Sequence, residues 1–350
     1  MNRFDLLKVA VSTDALRNFN PDNYIKSGQL DNDDNIISKK YLLKNEREID
    51  SGLDKKLGIK SIVIKENKIE LEFGAKVLRK DYAELMHKNN ISQVIDNINA
   101  TGLIELDKNE FLDSAEVYRC DVTCNLPVTK SSDVYMRDIS ILGTKRKYKE
   151  ETYKSGFVLT NKAKTVDERL IAYDKLNDLT KKEKWTKEIL KHIDIKDFKH
   201  NSFRIEGNYR TYDTMRKYFH FKKHNLDILK FKNKGTIKLA DVLLSDANPN
   251  YELFNKMLSD EPDITGGLLL ELLDSGEALY KIEKQIGRAE IIKHCDYNIM
   301  NIKRLIASKV KGNISKYLRD YEILLKRIKV AELSNYDNIN EVRELLKKVA

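Results

Sequence analysis

Three short segments of the chain each set a reactive pair of residues two positions apart: Arg119 and Asp121, Tyr173 and Lys175, Arg204 and Glu206. Side chains alternate across a β-strand, so residues i and i+2 share a face. If the three segments are strands of one sheet, a tyrosine, two carboxylates and three cations converge on one surface. That set is the inventory for breaking a phosphodiester bond by metal-assisted attack of a tyrosine oxygen. A free phenol has a pKa of about 10, so the tyrosine needs a base or a nearby cation. Lys175, on the same expected face as Tyr173, would favour the phenolate by its charge.

The strand reading rests on alternation. Between Val117 and Leu126, Arg119, Asp121, Thr123 and Asn125 fall on one face and Tyr118, Cys120, Val122, Cys124 and Leu126 on the other, before Pro127 ends the ladder. Between Ser202 and Arg210, Arg204, Glu206 and Asn208 oppose Phe203, Ile205 and Tyr209. Over 169–175, Arg169, Ile171, Tyr173 and Lys175 share a face against Leu170 and Ala172. Such strands rest an apolar face on a core and turn a polar face to water or a ligand. Taken singly, each pair is explained as well by an ordinary solvated face.

The elements that must position these segments are mixed at first and helical later. Phe4–Val11 reads as a strand, and Ser61–Lys65 with Lys68–Phe73 as a hairpin turning at Glu66-Asn67. Residues 19–56 are polar, with Asp31-Asn32-Asp33-Asp34 as a loop signal. Asp81 is expected to cap a helix to His87, and Ile91–Ile98 keeps helical spacing. Phe157–Thr160 reads as a further strand, about 180–191 as a charged helix holding Trp185, and Thr211 or Asp213 as the cap of a short helix through Tyr218. After Gly235, helical periodicity runs through Leu239–Leu244, Tyr251–Leu258, Leu268–Leu273, Ala278–Gly287 and Tyr297–Lys329, with breaks near Pro249, Pro262, Gly266-Gly267, Gly287 and Gly312. The expected fold is α+β: an antiparallel-sheet domain over 1–235, with motif strands in 115–210, followed by a helical region over 236–350.

The chain has 350 residues, enough for a substantial core and on length alone for two domains. No run of about 18 apolar residues occurs, and Met1-Asn2-Arg3-Phe4-Asp5 lacks the basic-then-apolar order of a leader, so neither a spanning helix nor a secretory signal is expected. Cys120 and Cys124 would stand roughly 13 Å apart on one strand, too far to bridge, and Cys295 is distant. Three unpaired cysteines suit a reducing compartment, the cytoplasm. The net charge of +9 is uneven: residues 143–235 hold 25 Lys or Arg against 13 Asp or Glu, an excess of +12, leaving −3 elsewhere. A basic stretch coinciding with two of the three pairs points to a polyanion, above all nucleic acid. Tyr148, Tyr153, Tyr209, Tyr212, Tyr218, Phe219 and Phe221 are interleaved with the cations, which suits stacked bases and equally suits core.

The order of these segments resembles the replication initiators of filamentous phages, the gene II/X family, and is similar to the trans-acting Rep proteins of rolling-circle plasmids. The pieces that carry it are Tyr118-Arg119-Cys120-Asp121-Val122-Thr123, Tyr153-Lys154-Ser155-Gly156, Arg169-Leu170-Ile171-Ala172-Tyr173-Asp174-Lys175 and Phe203-Arg204-Ile205-Glu206, after an opening Phe4-Asp5-Leu6-Leu7-Lys8-Val9. Together they span about residues 1–220. The resemblance implies a Rep nuclease-type domain that nicks one strand at a replication origin, attaches to the 5′ end through tyrosine and later joins the ends. It makes Tyr173 the nucleophile, with Tyr153 its first rival, and Lys175 its catalytic neighbour. It makes Asp121 and Glu206 ligands of Mg²⁺ or Mn²⁺. Arg119, Tyr153, Arg169, Arg204 and Arg210 become DNA contacts, with Arg119 and Arg204 open to pairing with the neighbouring carboxylates instead. The His-hydrophobic-His metal motif of the broader nuclease class is missing: His220 and His224 flank Phe221-Lys222-Lys223.

The expected partners are single-stranded or supercoiled origin DNA and the host's replication helicase or polymerase, with no membrane. An origin-binding initiator or repressor without catalysis explains the charge equally well but assigns no task to Asp121 and Glu206. A tyrosine recombinase would want an Arg-His-Arg constellation before a late tyrosine such as Tyr317, Tyr321 or Tyr336, and none is found. No Gly-x4-Gly-Lys-Ser/Thr loop for nucleotide hydrolysis occurs.

Overall fold

Alternation along Lys68–Gly74 shows how the sheet is built: Ile69, Leu71 and Phe73 are buried while Lys68, Glu70 and Glu72 lie on the other face. The structure, a computed structural model, describes residues 1–30, 36–44, 58–143, 148–153, 156–161, 167–181, 203–221, 236–258, 268, 272, 275–295, 298–309 and 314–349. The strands are β1 (Phe4–Ser12), β2 (Leu16–Phe19), β3 (Tyr24–Leu30), β4 (Ile36–Leu43), β5 (Ile59–Ile64), β6 (Lys68–Gly74), β7 (Ile104–Leu106), β8 (Glu116–Leu126), β9 (Tyr148–Tyr153), β10 (Gly156–Asn161), β11 (Glu168–Asp174) and β12 (Phe203–Tyr209). Ten of them form one sheet in the order β3-β4-β5-β6-β1-β8-β12-β11-β10-β9, and β2 pairs with β7 apart from it. Every pairing is antiparallel. The fold is α+β, a large antiparallel sheet with a helical C-terminal region, as the patterning predicts.

Helices cover the apolar face of the sheet. At one end, α1 (Ile91–Asn99) presents Ile91, Val94, Ile95 and Ile98 on one side, with spacings of three and four, and α2 (Lys108–Ser114) packs on β1. At the other, α3 (Ser132–Gly143) contributes Tyr135 and Ile139, and α7 (Pro249–Met257) contributes Leu253 and Phe254, over the apolar sides of β8, β11 and β12. The remaining helices are α4 (Lys175–Lys181), α5 (Tyr212–Tyr218), α6 (Leu239–Leu244), α8 (Leu279–His294), α9 (Ile299–Lys309) and α10 (Ile314–Lys348). The main core draws on both expected regions: it includes Leu239, Phe254, Ile339, Val342 and Leu346. A second cluster gathers α8, α9 and the first part of α10 around Ile292, Ile302 and Leu324, so α10 runs from one core into the other. Among the described residues no helix is long and apolar enough to cross a membrane. All three cysteines are buried and free.

Several sequence expectations need correction. The polar stretch 19–56, where only the loop signal at 31–34 was read, contains β3, the edge strand of the sheet, and β4 beside it, while the loop signal itself lies outside the described residues. The helix expected from Asp81 to His87 is a 3-10 stretch, Ala75–Glu84, broken at Arg79 and Asp81. Phe4 exchanges backbone bonds of 2.8 and 3.0 Å with Met86, pulling that end into an extended bridge. The charged helix expected over 180–191, with Trp185, lies outside the described residues except for Thr180 and Lys181, which close α4. The short strands β2, β7 and β9 and the helices α2 and α3 were not expected.

Candidate active site

The three motif segments are neighbours in the sheet: β8, β12 and β11 lie side by side. Register sets Asp121 opposite Asn208, Thr123 opposite Glu206 and Asn125 opposite Arg204; on the other side, Tyr173 stands opposite Arg204. Directly paired residues point the same way, so the motif side chains do share one face. It is not an open face. All of β12 is buried, and Tyr82 of the 3-10 stretch packs over Arg204, its ring centroid 5.8 Å from the guanidinium carbon.

Arg204 is wholly buried, so its guanidinium lies inside the protein rather than at the surface. Its Nε donates to Asn125 Oδ1 at 2.7 Å, and its Nη1 donates to the Tyr173 and Tyr82 hydroxyls at 3.4 and 3.5 Å. The same nitrogen is 3.7 Å from Asp5. Tyr173 in turn donates to Glu206 Oε2 at 3.3 Å. Burial pushes the Tyr173 phenol well above its usual range, with Arg204 opposing and Glu206 and Asp5 reinforcing. The hydroxyl is therefore protonated at neutral pH, held between a cation and a carboxylate.

Lys175 is not a strand residue. β11 stops at Asp174, whose Oδ1 accepts the Asn177 N–H at 2.9 Å, and that cap turns the chain into α4 with Lys175 as its first residue. Its ammonium still enters the cluster, 5.5 Å from the Tyr173 ring centroid and 5.3 Å from that of Tyr82. It lies over the rings, so the cation on the phenol oxygen is Arg204 rather than the expected lysine. Burial, aided by Arg204, lowers Lys175 to about 8.

The carboxylates are crowded. Glu206 is buried, and its Oε1 accepts from Asn208 at 2.8 Å. Burial first, then Asp5 and Asp121, raise it to about 7. Asp121 is also raised by burial, against the pull of Arg119, whose Nε and Nη2 reach its two oxygens at 3.2 and 3.0 Å. Arg119 thus pairs with a carboxylate, the alternative left open for it, and its Nη1 also lies 3.7 Å from Glu72.

Asp5 is the residue that the motif reading missed. The β1–β8 register jumps between Phe4–Val122 and Leu6–Asp121, which leaves Asp5 as the extra residue of a β-bulge. Burial works to raise Asp5, but Arg204 and then Lys175 hold it below the usual carboxylate range. The available signal was a carboxylate, depleted in strands, within the apolar run Phe4-Asp5-Leu6-Leu7. Tyr82 was missed because no periodicity marks a broken 3-10 turn.

The remaining candidates lie around this cluster. Tyr153 ends β9 in the same cross-strand row as Tyr173, through Gly156, and is 57% exposed, bonded to Glu151 at 3.1 Å. Residues 154–155 of its motif lie outside the described residues. Gly156 stands against Tyr173 so closely that a Cβ there would lie 2.4 Å from the Ala172 carbonyl oxygen and 2.5 Å from Tyr173 Cβ. Arg169 and Arg210 are half-buried at the Asp121 end of the face. His220 pairs with Glu252 of α7, and His224 lies outside the described residues.

The donor set suits a hard divalent cation. Asp121 and Glu206 project from adjacent strands, Glu206 carries a raised pKa that a cation would relieve, and the buried Thr123 hydroxyl opposite Glu206 has no hydrogen-bond partner. Among the described residues no three His, Cys, Asp or Glu side chains form a ready cage. A Mg²⁺-type site needs only one or two carboxylates, with water and substrate phosphate completing the shell. No protein-family model matches the chain, and no curated protein does either.

Proposed function

We propose that the protein is a rolling-circle replication initiator: a strand-specific DNA nickase and joining enzyme that works through a covalent 5′-phosphotyrosyl intermediate. The observation that carries this reading is the Tyr173 hydroxyl, held between the Arg204 guanidinium and the Glu206 carboxylate. In the nicking step the Tyr173 oxygen forms a bond to the scissile phosphorus and the bond to O3′ breaks. Glu206 Oε2, which accepts the Tyr173 O–H, takes the phenol proton. Arg204 stabilises the emerging phenolate, and Lys175, lowered to about 8, gives a proton to the departing 3′ oxygen. Asp121 and Glu206 would hold Mg²⁺ or Mn²⁺, whose chemistry is to polarise the phosphoryl oxygens and neutralise developing charge. The phosphotyrosyl bond keeps the phosphodiester energy, so attack by a 3′-hydroxyl rejoins the strand with the proton transfers reversed.

The reading places the protein in a bacterial cytoplasm, serving a phage or plasmid with origin DNA as substrate and host helicase or polymerase as partners. A non-catalytic origin-binding initiator or repressor is the second reading, favoured by the burial of Arg204 and Lys175 under Tyr82, which a purely structural polar cluster would also show. Incubation with labelled single-stranded DNA from the origin of the encoding replicon separates them. Nicking that requires Mg²⁺ or Mn²⁺ and is lost in Tyr173→Phe supports the enzyme; tight binding without nicking under any divalent metal supports the binder.

A further inference from the structure

The sheet face beyond the tyrosine carries a second arrangement that the cleavage chemistry does not use. Asn208 pairs with Asp121 on one side and with Arg169 on the other. Arg210 lies just past the end of β12 and its Tyr209–Cys120 pair, near enough to Arg169, Arg119, Asp121 and Glu72 for their charges to act on it. Neighbouring like charges disfavour one another, yet three arginines converge here. Arg119 is bound by Asp121 and Glu72, whereas Arg169 and Arg210 make no ion pair among the described residues. Their Nε atoms are buried without a hydrogen-bond partner. Buried guanidinium donors of this kind are costly unless an acceptor arrives. The mutual repulsion also registers on Arg210, which burial and then Arg169 and Arg119 depress.

We infer that Arg169 and Arg210, with Arg119 beside them, form a phosphate-binding site for a nucleic-acid backbone. Planar guanidinium forks match phosphate oxygens, and two of the three have donors to spare. Arg169 stands four residues from Tyr173 along β11, about 13 Å at strand rise, so the phosphate held here is a nearby one rather than the scissile one. The site thereby fixes the register of the strand over the tyrosine. The inference rests on reading this face as a nucleic-acid surface, and does not require that the strand be cut.

The test measures fluorescence anisotropy of a labelled oligo(dT) in EDTA, which removes cleavage, for wild type, Arg169→Gln, Arg210→Gln and the double variant. Each neutralised contact should lower the slope of log affinity against log salt by about 0.7, the single-strand value per phosphate. Thermal melting of the free protein should show Arg210→Gln no less stable than wild type, because a repulsion has been removed. Unchanged affinity and slope in the double variant would overturn the site, as would a slope change accompanied by a loss of several degrees in melting temperature. Competition separates the sources: oligo(dT) displaced only by other strands marks a backbone site, while displacement by millimolar inorganic phosphate marks a general anion site and contradicts the inference. Nicking of origin DNA with no arginine effect on the slope would retain the enzyme and reject the site; an arginine-dependent slope without nicking would do the reverse.

Discussion

Replacing the buried Arg204 by methionine isolates the interaction that organises the cluster. Methionine keeps much of the apolar volume but removes the 2.7 Å bond to Asn125, the bonds to the Tyr173 and Tyr82 hydroxyls, and the charge 3.7 Å from Asp5. Removing one partner of a buried ion pair costs about 3–5 kcal/mol. At a urea m-value of about 3 kcal/mol/M, the unfolding midpoint falls by about 1–1.7 M. The loss must also depend on pH. In the wild type Asp5 is depressed by Arg204 and Lys175 against its burial. A depressed carboxylate stabilises the fold above its unfolded value of about 3.9, and that stabilisation is lost as pH falls through the folded value. Without Arg204, burial drives Asp5 upward and the variant is relieved by protonating it. The stability gap is therefore widest near neutral pH and narrows toward about pH 4.5. Urea titrations at several pH values give the gap directly, and the double variant Arg204→Met/Asp5→Asn should recover part of it, by up to about 3 kcal/mol of coupling. A gap below about 1 kcal/mol at neutral pH, the range of an exposed pair, or one that is the same at every pH, refutes the reasoning.

Three further outcomes follow from the geometry. Glu206 is raised to about 7 by burial and by Asp5 and Asp121, so between the unfolded value of about 4.3 and 7 the folded state binds the extra proton and stability falls as pH rises. Glu206→Gln should remove that slope from a melting-temperature profile while abolishing nicking; an unaltered slope would contradict the assignment. Gly156→Ala forces a Cβ against Ala172 and Tyr173, which should cost about 1–3 kcal/mol in urea unfolding and slow nicking by shifting the tyrosine, and wild-type behaviour in both assays would count against the close approach. Leu346, near the end of α10, is fully buried in the main core, so Leu346→Ala should cost about 2–5 kcal/mol; a loss under about 0.5 kcal/mol, typical of a surface site, would show that this helix end is not docked.

The parts of the site legible in the sequence are those that follow from alternation. Arg119 with Asp121 and Arg204 with Glu206 occupy long, regular strands whose apolar partners, Cys120, Val122, Phe203 and Ile205, are buried as their spacing implies. Tyr173 was legible for the same reason. Lys175 reached the cluster by another route, because the side chain of Asp174 serves equally as a strand residue and as a helix cap, and only the hydrogen bond to Asn177 decides between them. Asp5 was hidden by a bulge, which breaks the two-residue period from which faces are read. Tyr82 arrives on a segment shaped by the long-range bridge between Phe4 and Met86, an interaction no local pattern announces. No strand was read at β3, an edge strand with few apolar residues to pattern, or at β4 beside it, where Ile36-Ile37 and Tyr41-Leu42-Leu43 run together without alternation. The docking of α10 onto the main core depends on contacts such as Tyr135 with Glu341 at 2.5 Å, across 206 positions of sequence.

The central claim is that the Tyr173 oxygen becomes bonded to DNA. Protein incubated with Mn²⁺ and single-stranded origin DNA, then denatured, digested with nuclease and protease and analysed by mass spectrometry, reports that bond by residue. The account predicts a peptide containing Tyr173 that carries a nucleotide through its phenolic oxygen, absent in Tyr173→Phe and in reactions with EDTA. A nucleotide on Tyr153 instead, or an adduct that persists in Tyr173→Phe, would contradict it.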